Sequence, residues 1–146
     1  MPTEVLVDPK YSKHTVKVKG THLGRLSSFD IPQSASSEYN EKTQEVTIQF
    51  KYLTSSEPVS RQRFEQRDAS FNVVLLLGRH SRKLYGIVIS GVSPQQIPDV
   101  KIEIQEAIDS VKNELSAKKP EDLVPMLNLQ ATRQFLTENK ELFAFS

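Results

Sequence analysis

Seven side chains carry the densest chemistry in this chain. Arg61, Arg63 and Arg67 recur within "PVSRQRFEQRDASF", and Arg79, His80, Arg82 and Lys83 crowd the middle of "LLLGRHSRKLYGIVI". Residues two apart on a strand share a face, so an extended segment over 58–71 lines Val59, Arg61, Arg63, Glu65 and Arg67 along one side. Guanidinium groups present paired donors to carboxylates and phosphates, and a hairpin tip projects such groups outward. The chemistry on offer is recognition of an anion, not bond cleavage. Plainer readings compete with it. A charged turn guards against edge association, and the arginines pair across strands with Glu65, Asp68 and neighbouring carboxylates. Binding of a polyanion needs both clusters on one surface, because three cations on a solvated turn gain little from exposed pairing.

No catalytic set stands beside them. His14, His22 and His80 are the only imidazoles, and none has a second ligand at metal-site spacing. A small metal-free hydrolase would have to use one of them with a nearby arginine. No serine sits in a GxSxG elbow, and Glu103, Glu106 and Asp109 read as the wet face of a helix. The five glycines are dispersed, so no phosphate loop forms. The chain has no cysteine, which excludes disulfides, thiolate nucleophiles, iron–sulfur clusters and Cys-ligated zinc. The sequence assigns no catalytic residue, no cofactor and no metal ligand, and weighs against an enzyme more than for one.

The elements that must hold the arginines follow from hydrophobic period. In "EVTIQFKY", Val46, Ile48, Phe50 and Tyr52 alternate with Glu45, Thr47, Gln49 and Lys51, a half-buried strand. "FNVVLLLG" and "LYGIVISG" are apolar on both faces, as central strands or strands in a subunit interface are. Gly78 to Lys83 reverses the chain between them, and Gly86 marks a bulge or a close helix approach. "EVLVD" and "HTVKVKG" suit sheet edges, with Lys17 and Lys19 exposed. "FDIPQSASSEYNEKT" reads as a loop, with Asn40-Glu41-Lys42 turning into the next strand.

After Asp99 the period changes to three and four. The pattern predicts a helix capped by Asp99 and running through Lys118, with Ile104, Ile108, Val111 and Leu115 as its stripe and a Glu114–Lys118 ion pair. Pro120 opens another, but Pro125 predicts only a short turn there and a restart capped near Asn128. Leu129, Phe135, Leu136, Leu142 and Phe143 give that last helix a broad apolar face, so the tail "LFAFS" should dock. The expected fold is α+β: an antiparallel sheet of four to six strands from residues 1–92 with two C-terminal helices packed on one face, in a single domain over 1–146. "YNEKTQEVTIQF" followed by "LYGIVISG" resembles small β-meander domains, a likeness of strands and turns that implies no function.

The totals bound the partners. Net charge is +1, but residues 1–98 hold thirteen Lys/Arg against nine Asp/Glu, and residues 99–146 hold six against nine. That asymmetry is compatible with a basic face and is screened beyond about 8 Å at physiological salt. No basic-then-apolar leader opens the sequence and no aliphatic run is long enough to span a bilayer, so the expectation is a cytoplasmic protein without a membrane partner. Two strands apolar on both faces exceed what two helices can cover. The functional expectation is therefore a non-enzymatic interaction or regulatory module that self-associates as a homo-oligomer or binds a protein partner. The alternative is a nucleic-acid-associated protein that uses Arg61–Arg67 and Arg79–Lys83.

Overall fold

The computed structural model describes residues 3–13, 16–18, 21–23, 26–53, 57–64, 72–116 and 118–145. Strands β1 (Thr3–Leu6), β4 (Ser34–Asn40), β5 (Glu45–Lys51), β6 (Val59–Phe64), β7 (Asn72–Gly78) and β8 (Leu84–Ser90) form one antiparallel sheet, in spatial order β1-β4-β5-β8-β7-β6. The helices α1 (Ile97–Glu114) and α2 (Pro120–Glu138) pack on each other and on one sheet face, α1 over β7 and α2 over β8. This is the expected two-layer α+β fold. The lysine-rich segment expected at a sheet edge departs from it: β2 (Val16–Val18) pairs instead with β3 (Thr21–Leu23) in a separate ribbon.

Alternation sets which side chains enter the core. Val46, Ile48 and Phe50 of β5, Val73, Leu75 and Leu77 of β7, and Ile87 and Ile89 of β8 are buried under the helices. From α1 come Val100, Ile104, Ala107, Ile108 and Val111, and from α2 Leu127, Leu129, Ala131, Phe135 and Leu136. The tail docks. Leu142 is fully buried, and Phe143 and Phe145 pack against the core, the latter with its ring 6.0 Å from that of Tyr39.

The segment expected as a loop is partly strand. Ser34–Asn40 forms β4, held by a seven-pair ladder to β5 and four pairs to β1. Its serines have poor strand propensity, so the pairing is imposed by flanking strands. The Asn40 turn is formed as expected: its Oδ1 accepts from the amides of Lys42 at 3.0 Å and Thr43 at 3.3 Å. Gly86 is not approached by a helix. A Cβ there would stand 3.1 Å from Leu76 Cδ1 of the neighbouring strand, and the ladder irregularity falls beside it, between Leu76 and Leu77.

Both helices depart from their expected ends. α1 starts two residues before Asp99, behind a 3-10 turn over Pro94–Gln96. There Gln96 Oε1 accepts from the Ser93 amide at 2.9 Å and the Ser93 hydroxyl at 3.1 Å, a reciprocal start signal with Pro94 behind it. Asp99 sits in the first turn, where a carboxylate suits the helix dipole. The helix ends at Glu114, so Lys118 lies outside it and no helical Glu114–Lys118 pair can form. α2 runs unbroken through Pro125. Proline there deprives the Glu121 carbonyl, four residues back, of its helical donor. Arg82 supplies the replacement: its Nη2 donates to that carbonyl at 3.1 Å. Asn128 caps nothing and lies fully buried inside the helix.

Candidate interaction face

On the sheet face away from the helices, strand registers align side chains in rows. One row reads Arg63, Val74, Val88, Thr47, Glu38 and the next Arg61, Leu76, Gly86, Gln49, Ser36, Glu4. Val74, Leu76 and Val88 are half-buried, and no helix covers them among the described residues. Arg61 and Arg63 stand exposed on edge strand β6, where Arg63 Nη2 donates to Asn72 Oδ1 at 2.9 Å. Glu4 and Leu6 stand exposed on the opposite edge, Leu6 at 77%. The face is thus basic along one border, apolar off its centre and acidic along the other. Arg67 lies outside the described residues.

The hairpin tip divides its four candidates. Arg79 and His80 are exposed. Arg82, with a left-handed φ of 58°, turns toward the helices, where its Nη2 meets the Asp122 carboxylate as well as the Glu121 carbonyl. Lys83 is only 7% exposed. Its Nζ donates to the Phe29 carbonyl at 2.9 Å and lies 4.7 Å from the centre of the Tyr52 ring. The tip does hold an anion, and that anion is internal. Glu57 Oε1 accepts from the amides of His80 at 2.8 Å and Ser81 at 2.9 Å, and Oε2 from the Tyr85 hydroxyl at 3.1 Å. Burial pushes this carboxyl upward, but the hydrogen bonds of Ser81, His80 and Tyr85 outweigh it and bring it down to about 2. A Cβ at Gly78 would collide with the Glu57 carboxylate, which explains glycine at the foot of the tip.

Behind the tip a polar cluster ties the sheet to α2. Asn128 Oδ1 accepts from the Leu84 amide at 2.9 Å, and its Nδ2 donates to the Asp30 carbonyl at 2.8 Å and the Tyr52 hydroxyl at 2.9 Å. Tyr52 in turn donates to the Leu84 carbonyl at 2.7 Å, and burial pushes its hydroxyl well above the usual tyrosine range. Asp122 accepts from the Ser116 amide at 2.8 Å. That bond, and then the one from Arg82, hold its carboxyl below the ordinary carboxylate value. These groups satisfy one another inside the fold, so the cluster is a structural joint.

No family model matches this chain, nor does any curated protein or solved structure.

The histidines do not gather. His14 lies outside the described residues, His22 is in β3 opposite Lys17, and His80 is at the tip. Among the described residues no three metal-ligating side chains converge, and no helix is long and apolar enough to cross a membrane. A cleft of about 300 Å³ lies at the far end of β4, lined among others by Thr3, Ser37, Tyr39 and Phe145, and touches none of the six candidates that lie among the described residues. Glu57, Asp122 and Asn128 escape sequence reading because each acts across more than twenty positions: Glu57 on 80, Arg82 on Asp122, Leu84 on Asn128.

Proposed function

We propose that this protein is a non-enzymatic interaction module that self-associates through the open face of its sheet. One observation carries the reading: Val74, Leu76 and Val88 form a half-exposed apolar patch on the side that neither helix covers. A sheet face packed on one side only normally alternates apolar inward and polar outward, and these three positions break that rule where outward residues are expected to be polar. Apolar side chains there lose water contact when a second surface docks, at about 25 cal/mol per Å² removed. Sedimentation equilibrium from about 1 to 100 μM tests the reading; self-association in that range is that expected of a modest interface. Mass rising with concentration supports it, and a constant monomer mass overturns it.

The nucleic-acid reading keeps a narrower base. Arg61 and Arg63 are exposed on β6 and Arg79 and His80 at the turn between β7 and β8, but Arg82 and Lys83 are engaged inside the fold, and no aromatic side chain stands in the two rows to stack on a base.

A further inference from the structure

We infer that the open face takes a second copy of this chain, docked face to face about a two-fold axis parallel to the strands. This rests on the self-association reading above and adds the partner's orientation. The row that begins with Arg61 on β6 ends with Glu4 on β1. Five strand spacings of about 4.8 Å separate them by roughly 24 Å, so they cannot pair within one molecule. Both are exposed, and neither has an ion-pair partner among the described residues.

A two-fold axis along the strands inverts the order of strands across the face and keeps the position along them. Arg61 then stands over the second copy's Glu4, and Glu4 over its Arg61. In the row that begins with Arg63, Val74 lies over the second copy's Glu38, one strand spacing from Arg63, and Val88 lies over its Thr47; Leu76 lies over its Ser36, and Leu6 meets Val59 of the edge strand. The 77% exposure of Leu6 is thereby relieved. Aligned sheets pack about 10 Å apart with strands within about 30° of parallel, which this axis permits.

The charges disfavour face-to-face docking about the other in-plane axis. A two-fold axis across the strands would stack β6 on β6 and bring arginine over arginine. A footprint of roughly 600 Å² per copy gives about 1,200 Å² in all, the lower bound of stable interfaces, so dissociation in the micromolar range is expected.

Charge exchange tests the orientation. Arg61→Glu and Glu4→Arg are exposed changes, and each single variant should fold with an unchanged circular dichroism melt yet self-associate at least tenfold more weakly, because each dimer acquires two like-charge contacts. An equimolar mixture of the two variants should recover association to within a few-fold of the parent, because the heterodimer restores both pairs. Variants that associate as tightly as the parent, or a mixture that stays dissociated, would overturn this orientation while leaving self-association standing. A parent chain that is monomeric at 100 μM would overturn both.

Discussion

Replacing Asn128 by alanine should destabilise the fold by about 3 kcal/mol. The side chain is fully buried and makes three hydrogen bonds, to the Leu84 amide and from its own amide to the Asp30 carbonyl and the Tyr52 hydroxyl. Leu84 is itself fully buried, so its amide cannot turn to water when the acceptor goes. Stranding a buried donor costs about 1–3 kcal/mol, and the Asp30 carbonyl loses a partner besides. Tyr52 keeps its bond to the Leu84 carbonyl and adds little to the loss. The better helix propensity of alanine returns about 0.5 kcal/mol. At this chain length about 3 kcal/mol corresponds to a fall in Tm of roughly 6–12 °C. Urea and thermal unfolding followed by circular dichroism measure it, with Asn128→Asp expected to lose at least as much at neutral pH, because a buried carboxylate would then face the Asp30 carbonyl where the amide donor stood. An alanine variant that melts within about 2 °C of the parent would refute the claim that this joint holds β8 to α2.

Glu57→Gln should cost stability at neutral pH but not in acid. The folded carboxyl, at about 2, lies below its ordinary 4.5, so its contribution is complete above pH 4.5 and fades as pH falls toward 2. At about 1.4 kcal/mol per unit the ceiling is about 3 kcal/mol, and partial exposure at the tip reduces this to about 1–2; the parent–variant gap in urea midpoint should therefore close between pH 5 and pH 2, and a pH-independent gap would contradict it. Arg82→Ala should destabilise the parent more than a Pro125→Ala background, because alanine at 125 returns a helical donor to the Glu121 carbonyl. Equal losses in both backgrounds, measured as a double-mutant cycle, would sever that link. Deleting residues 142–146 removes the fully buried Leu142 and the packed Phe143 and Phe145. Its Tm should fall by at least about 5 °C, and an unchanged melt would mean the tail packs without consequence.

How far the sequence was legible depends on how local each signal is. Alternation in β5 and the change to a helical period after Asp99 are local, and they led directly to the sheet and the helix pair. The Ser93–Gln96 start of α1 was equally local and readable, but Asp99, a better-known cap type, competes with it in sequence. β4 was obscured because Ser34, Ser36 and Ser37 look like loop residues until Phe50 and Ile48 are known to pair with that segment. The break expected at Pro125 failed for a tertiary reason: an arginine forty-three positions earlier fills the carbonyl that proline leaves open. The same fact divides the basic cluster. "GRHSRK" reads as four outward groups, whereas the left-handed turn at Arg82 and the burial of Lys83 send two of them into the fold. The double-sided apolar character of β7 and β8 was plain from sequence; the tertiary contacts showed that no helix among the described residues covers their second face, which carries Arg61 and Arg63 at its edge.

The open face is tested most directly by methyl NMR on dilution, from about 300 μM to 5 μM, a range chosen to bracket micromolar dissociation. Val74, Leu76 and Val88 point to the open face, while Val73, Leu75 and Ile89 of the same two strands are buried beneath the helices and serve as internal controls. Methyl signals of Val74, Leu76, Val88 and Leu6 should move together with one dissociation constant while the controls stay fixed. Signals that do not change with concentration, or changes confined to the helix side such as at the exposed Ile102, would contradict the account.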